Sequence, residues 1–326
     1  DPVSAVAVPV YARLVALSNV NDSISSLLSN AISWIEASET LRLVKSTLFK
    51  TLKSSIVAEI VIEVKAGAAS TDTSSTWPAI VKSVKENNAD IGFGFDGDGD
   101  RIGILDNKGE LIYSDIIFLL LSLDLLKEKK DLVAIADVKC SKILFDTLKN
   151  NGVDIHMSKT GHSLIKEMIS SKNADIAGEM SGHIFYNYKY YGYDDAIYAS
   201  LKLIKILNNT KKTLNELTSV YMKSFSTPEI KLYCDEKIKF NLLDKIVNDI
   251  PKHYDSSAKL ITIDGVRLET ENFWFLLRAS NTQNCIVFRL EHFVKNKFKE
   301  ELIKLISILE SYSLDIKELT TFNQTV

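Results

Sequence analysis

Asp96-Gly97-Asp98-Gly99-Asp100-Arg101 sets three carboxylates at alternate positions with only glycine between them. Glycine accepts backbone angles that other residues resist, so such a segment can fold tightly. On a nearly extended segment alternate side chains face one side, which lets the three carboxylates converge. Converged carboxylates repel one another unless a cation lies between them. A hard divalent ion with oxygen ligands, Mg²⁺ above all, meets that need. Arg101 follows at once with a fork of donors suited to a phosphate oxygen. An EF-hand loop also opens D-x-D-x-D, but it requires glycine sixth and glutamate twelfth, where this chain has Arg101 and Asn107. A solvated acidic turn is the plainer alternative, and the apolar strand that leads into the loop counts against it. The segment reads as a metal site beside a phosphorylated partner.

Three further segments carry chemistry. Lys159-Thr160-Gly161-His162 lies between the end of a strand and the start of a helix, where free amides attract anions. His162 could move a proton near neutral pH, although a histidine capping a helix would look the same. Gly178-Glu179-Met180-Ser181-Gly182-His183 presents a carboxylate and a hydroxyl between glycines, as binding to vicinal sugar hydroxyls requires; a turn with helix-capping groups is the plain reading. Arg278-Ala279-Ser280-Asn281-Thr282 ends an apolar strand with a guanidinium, two hydroxyls and an amide, a phosphate-sized nest of donors or else a hairpin turn.

The elements that must position these residues follow from apolar spacing. A β-branched run predicts a strand from about Ile56 to Val64, and a Ser/Thr-rich loop follows from Ala69 to Thr76. A helix is predicted from Pro78 to Asn88, a strand from Ala89 to Phe95 and another from Ile102 to Leu105, so the Asp loop hangs at a strand end. Strands at Leu132–Val138, Val153–Met157 and Ala174–Ala177 alternate with helices at Ser114–Leu126, Cys140–Asn150, His162–Ser170 and Asp194–Leu207. That rhythm predicts α/β architecture. Beyond Ser226-Thr227-Pro228, read as a linker, the pattern changes to strands at Glu229–Tyr233, Leu260–Ile263, Asn272–Arg278 and Cys285–Glu291 with helices at Lys239–Asn248 and Val294–Leu309, a small α+β domain.

Composition bounds the rest. A chain of 326 residues exceeds one ordinary core. The net charge of −3 gives no polyanion-binding surface, so nucleic acid is not an expected partner. Cys140, Cys234 and Cys285 are odd in number and far apart, which suits a reducing compartment; cytoplasmic is the expectation. The longest apolar run, Ile116 to Leu126, is interrupted by Asp124 and too short to span a bilayer, so no membrane is expected as a partner.

The segments FGFDGDGDRIGILDNKGELI, DVKCS, KTGHSLIKEMI, GEMSGHIFYN with GYDDAIYAS, DGVR and LLRASNTQNCIVFRLE, taken in this order, resemble the α-D-phosphohexomutase family in its phosphomannomutase/phosphoglucomutase branch. The resemblance runs from Trp77 to Leu309, and the first 66 residues, which hold no glycine, show little of it. It implies tandem α/β domains with mixed, mostly parallel sheets, followed by a small C-terminal α+β domain. The expected boundaries are 1–110 for a divergent or partial second domain with the metal loop, 111–224 for a third domain with the sugar-binding loop, and 225–326 for the phosphate-binding domain.

By the same resemblance Asp96, Asp98 and Asp100 hold Mg²⁺, and Arg101 lies beside the transferring phosphate. Lys159 and His162 face the reacting sugar, with His162 an acid or base. Glu179, Ser181 and His183 bind substrate, Arg278, Ser280, Asn281 and Thr282 grip the other phosphate, and Arg267 of DGVR stands near it. The family interconverts hexose 1-phosphates and 6-phosphates of mannose or glucose, with a hexose 1,6-bisphosphate as intermediate and activator. The family's phosphoserine loop, of T-A-S-H-N-P type, has no counterpart in this sequence. Three expectations follow: a mutase in truncated form, a remnant that binds Mg²⁺ and sugar phosphate without turnover, or a chain completed by a separate serine domain.

Overall fold

The computed structural model describes residues 60–64, as backbone, and 77–326, Gly97 excepted. In chain order the elements are β1 (Ile60–Val64), α1 (Trp77–Glu86), β2 (Ile91–Phe95), β3 (Ile102–Asp106), β4 (Leu111–Ile112) and α2 (Ser114–Glu128). Then come β5 (Val133–Asp137), α3 (Lys142–Asn150), β6 (Asp154–Ser158), α4 (His162–Lys172), β7 (Ile176–Gly178), β8 (Ile184–Tyr186), α5 (Ala196–Thr210) and α6 (Leu214–Thr218). The remainder comprises β9 (Phe225–Ser226), β10 (Ile230–Tyr233), α7 (Lys239–Asp249), a 3₁₀ turn (Ile250–His253), β11 (Lys259–Ile261), β12 (Val266–Glu269), β13 (Phe273–Ala279), β14 (Cys285–His292), α8 (Lys295–Leu309) and α9 (Lys317–Thr325). The start of the expected first strand, 56–59, and the loop at 69–76 lie outside the described residues.

The described residues divide into two compact units, one of those up to Leu132 with Ala174–Thr218 and the other of Val133–Asn173 with Ser219–Val326. In the first, β1 runs parallel to β2, and β2, β3 and β4 pair antiparallel in sequence order. Ile80 and Val84 of α1 are fully buried, as their helical spacing requires. Helix α2 is apolar nearly all round and buries Ile116, Ile117, Phe118, Leu119 and Leu121, the mark of a helix inside a unit rather than on its surface. Asp195 caps α5 by accepting the Tyr198 N–H at 2.9 Å. β7 and β8 pair antiparallel, which hangs the Glu179–His183 loop at their turn.

In the second unit β5 and β6 are parallel, and Ser141 caps α3 by accepting the Ile143 N–H at 3.1 Å. The larger sheet is antiparallel in the order β10-β14-β13-β12-β11 with β9 added on β14. Its core joins Leu243 and Ile246 of α7, Phe275 and Phe288 of the sheet, and Leu302 and Leu305 of α8. Ser226-Thr227-Pro228 is no free linker. Ser226 pairs with Glu291, and Thr227 is 1% exposed with its N–H donated to the Leu290 carbonyl at 2.9 Å and its Oγ1 accepting the Leu290 N–H at 3.0 Å. Strand β12, which begins at the Val266-Arg267 end of the DGVR segment, is not among the expected strands, although Val266 and Leu268 alternate with Arg267 and Glu269. Among the described residues no helix is long and apolar enough to cross a membrane.

Candidate functional site: two charged clusters

The first unit assembles the Asp loop and the Glu179–His183 loop into one cluster. The Asp loop is a turn rather than an extended segment: Gly99 takes a φ of 73° and donates its N–H to the Asp96 carbonyl at 3.3 Å. Convergence is achieved all the same. One carboxylate oxygen from each of Asp96, Asp98 and Asp100 lies within 4.8 Å of the others. The Arg101 N–H donates to Asp96 Oδ1 at 3.1 Å, and Asp100 Oδ1 is buried with no protein donor. Burial, reinforced by the neighbouring Asp96 carboxylate and partly opposed by His183, pushes the Asp100 carboxyl up to about 6. A carboxylate group with an orphaned, buried oxygen and mutual repulsion fits a hard divalent cation.

Arg101 and His183 join the two loops. Their backbones form an antiparallel bridge, and the Ile102 N–H donates to the Gly182 carbonyl at 3.2 Å. Gly182 makes this approach feasible: its φ is 102°, and a Cβ there would stand 2.7 Å from the Ile102 carbonyl oxygen. The Arg101 Nε–H then donates to His183 Nε2 at 2.9 Å, while His183 Nδ1 lies 2.8 Å from Asp194 Oδ2 and 3.7 Å from Asp100 Oδ2. Burial alone would lower the His183 pKa, but the Asp194 contact and the Glu179 and Asp100 carboxylates raise it above its ordinary value. The Arg101 donor needs the Nε2 lone pair, so this arrangement keeps the His183 proton on Nδ1, facing Asp194. Ser181 donates its hydroxyl to Glu179 Oε2 at 3.0 Å, a bond that sugar hydroxyls can replace.

The second unit gathers the other two segments. Arg278 is 6% exposed, and its Nε–H donates to Asp264 Oδ2 at 2.9 Å. The same oxygen accepts the Thr160 N–H at 3.0 Å, and the Thr160 hydroxyl donates to the buried Asp137 at 3.0 Å. Asp264 thus ties the Lys159–His162 loop to the start of the Arg278–Thr282 loop. Gly265 permits it, with a φ of 77° and a would-be Cβ 2.1 Å from the Leu277 carbonyl oxygen. Ser280 Oγ accepts the N–H groups of Thr282 at 3.3 Å and Gln283 at 3.1 Å, which curls the turn around its hydroxyl. Asn281 and Thr282 are exposed, Lys159 is exposed and His162 half-buried.

Arg267 of DGVR, expected near the phosphate that is not transferred, is enclosed by the fold. It is 0% exposed; its Nε–H donates to Glu269, its Nη1 donates to the Val138 and Cys140 carbonyls at 2.6 Å each, and its guanidinium lies 3.8 Å over the Trp274 ring. A guanidinium enclosed in this way straps the segment after β5 to β12 and β13 and offers no exposed donor to a phosphate. Asp194 and Asp264 were not singled out as site residues from sequence. For Asp194 a signal exists: of two adjacent acids before a helix, one caps it and the other is left for different work. Asp264 lies in the DGVR segment that carries the resemblance, but no local pattern gives it a role, because its partners are more than ten residues away along the chain.

Models of phosphoglucomutase/phosphomannomutase alpha/beta/alpha domain II and domain III match residues 51–109 and 113–225. The phosphomannomutase/phosphoglucomutase of Pseudomonas putida is 38% identical over 233 residues, 69% of this chain and 50% of that protein. The chain belongs to the α-D-phosphohexomutase family. The phosphomannomutase of Methanocaldococcus jannaschii is 32% identical over 71% of the chain and 49% of its own length. A crystal structure of a phosphoglucomutase/phosphomannomutase family protein from Burkholderia thailandensis superposes with a TM-score of 0.65 at 26% identity, covering 83% of this chain and 66% of that one. The phosphohexomutase match begins at residue 51, ahead of Trp77, so part of the glycine-free segment belongs to domain II. The chain spans about half the length of the curated relatives it matches.

Proposed function

We propose that this chain carries the metal, sugar and phosphate contacts of a phosphohexomutase that interconverts hexose 1-phosphate and hexose 6-phosphate, of mannose or glucose, through a hexose 1,6-bisphosphate. The observation that carries the reading is the Arg101–His183 hydrogen bond, which joins the carboxylate loop to the Glu179–His183 loop in one partly buried cluster. Asp96, Asp98 and Asp100 would hold Mg²⁺, which when bound supplies positive charge against the transferring phosphoryl group. Arg101 sits beside that group and keeps its guanidinium oriented through His183 and Asp96. Glu179 and Ser181 exchange their mutual bond for sugar hydroxyls. Lys159 and His162 face the sugar, His162 as acid or base. Arg278, with Asp264 holding its Nε, turns its remaining donors with Ser280, Asn281 and Thr282 to the phosphate that is not transferred.

In the reaction a phosphoserine yields its phosphoryl group to a sugar hydroxyl, and the bisphosphate returns its other phosphoryl group to the serine. The serine loop has no counterpart in this sequence, so binding is measured before turnover. Calorimetric titration with glucose 1,6-bisphosphate should show saturable binding that Mg²⁺ strengthens and Asp100→Asn abolishes in its Mg²⁺-dependent part. No binding at millimolar bisphosphate, with or without Mg²⁺, would overturn the reading. Conversion of glucose 1-phosphate to glucose 6-phosphate in the same preparation separates a mutase from a protein that only binds.

A further inference from the structure

Lys239 opens helix α7, outside every segment that carries the family resemblance, and is 2% exposed. Burying an ammonium is costly, and such a group persists only where several acceptors satisfy it. Lys239 Nζ donates to the Ser280 carbonyl at 2.9 Å, to the Gln283 carbonyl at 3.1 Å and to Glu236 Oε2 at 2.8 Å. Two of its three protons are therefore spent on the backbone of the exposed turn that follows Arg278. Glu236 is half-exposed, with its side chain 51% accessible, so solvent shares its charge. The charge under the turn is thus neutralised only in part.

A trans peptide points its C=O and its N–H in opposite directions. Lys239 holds the Ser280 carbonyl and shares the Gln283 carbonyl with the Cys285 N–H at 2.9 Å, which turns the N–H groups of Asn281 and Asn284 away from the lysine. Ser280 Oγ meanwhile occupies the N–H groups of Thr282 and Gln283. The turn therefore divides its amides: two bond inward to the serine and two are directed outward by the lysine. Residues 281–284 are all exposed, as an anion reaching the outward pair requires. A nest of backbone donors above a cation is a phosphate-binding arrangement.

We propose that Lys239 is the positioning residue of the phosphate grip: from beneath the turn it aims the Asn281 and Asn284 amides at the ligand phosphate and adds its charge to that of Arg278. The inference rests on the assignment of the Arg278–Thr282 turn as a sugar-phosphate grip, and it names a determinant of affinity that touches no ligand.

The test uses the full chain and glucose 6-phosphate as probe, with calorimetry for affinity and amide NMR for the turn. Lys239→Met should weaken binding about tenfold or more, the scale set by losing aligned charge-assisted donors. Lys239→Arg, which can span the same carbonyls, should recover most of it. The Asn281 and Asn284 amide signals should move on titration of the wild type and stay still in Lys239→Met. Asn281→Pro, which deletes one outward N–H and leaves the lysine in place, should reproduce part of the loss. If the wild type binds and Lys239→Met binds equally well, or if the methionine variant loses thermal stability while its Asn281 signal still shifts, Lys239 is only a structural strut and the proposal fails. If the wild type itself does not bind, the grip assignment fails and takes this inference with it.

Discussion

In the first unit Asp96, Asp98, Asp100, Glu179 and Asp194 stand around Arg101 and His183, and Asp100 is driven toward protonation by burial and by its acidic neighbours. In the second, Arg278 is buried against Asp264, whose accepting oxygen is shared with the Thr160 amide, and Lys239 is buried on two carbonyls and Glu236. One cluster holds surplus negative charge and gains from an added cation. The other sets its buried cations against carboxylates and backbone carbonyls of the same unit. Both use the same joint: a glycine with positive φ whose missing Cβ lets one loop rest on the backbone of another, Gly182 on Ile102 and Gly265 on Leu277.

The joints give the largest contrast. Gly265→Ala forces a Cβ to within 2.1 Å of a carbonyl oxygen, with Arg278 Cα another 2.7 Å away, in a conformation that costs about 1–2 kcal/mol by itself. Thermal unfolding should show a loss of about 3 kcal/mol or more, since rigid sheet backbone cannot yield. Gly182→Ala meets the Ile102 oxygen at 2.7 Å, a less severe approach than the 2.1 Å at Gly265, so its cost should be nearer about 1–2 kcal/mol. Its larger effect should be on Mg²⁺-dependent sugar-phosphate binding, because opening the loop separates His183 from Arg101. Equal losses of stability in the two variants would mean that the closeness of approach does not decide the cost.

The arginines give the next contrast. Arg278→Met leaves Asp264 with the Thr160 amide but without its cation, and unfolding should show about 2 kcal/mol of lost stability. The Arg101 side chain is 43% exposed and its Asp96 contact is 3.7 Å, so Arg101→Met should stay within about 0.5 kcal/mol while binding of glucose 1,6-bisphosphate falls sharply. A large destabilisation by Arg101→Met would mean that the first cluster, too, is internally compensated.

The runs that could carry chemistry are local and therefore legible: DGDGDR, KTGH, GEMSGH and RASNT are short and their residue types suggest what they could bind. The elements with strong apolar spacing, such as α8 and β14, were legible for the same reason. Which runs share a cluster was not legible. Arg101 meets His183 across 82 positions, and Thr160 meets Asp264 across 104, through strand pairing that no local pattern encodes. Arg267 shows the reverse limit. Its type suits a phosphate, yet Trp274 beneath it and carbonyls from 127 and 129 positions away enclose it, and burial decides its role. Thr227 likewise sits in a composition typical of linkers, and only the edge of β14 reveals that it is bound.

The smallest effect tests compensation in the second unit through pH. Lys139 is 8% exposed at its side chain and donates to Glu229 Oε1 at 2.8 Å. Burial pushes the Glu229 carboxyl up, but Lys139 outweighs it, and the net result holds Glu229 below the ordinary glutamate range. A carboxyl depressed by folding stabilises the folded state above its unfolded pKa, near 4.5, and that stability is lost as pH falls through the lower folded value. Because Glu229 is about a quarter exposed, the contribution should be modest, about 1 kcal/mol or less. Glu229→Gln should therefore unfold more easily than the wild type at pH 7 and converge with it in denaturant titrations well below pH 4. A difference that stayed constant across that range would mean that Glu229 contributes through packing, and that Lys139 is balanced instead by Asp137, 4.0 Å away.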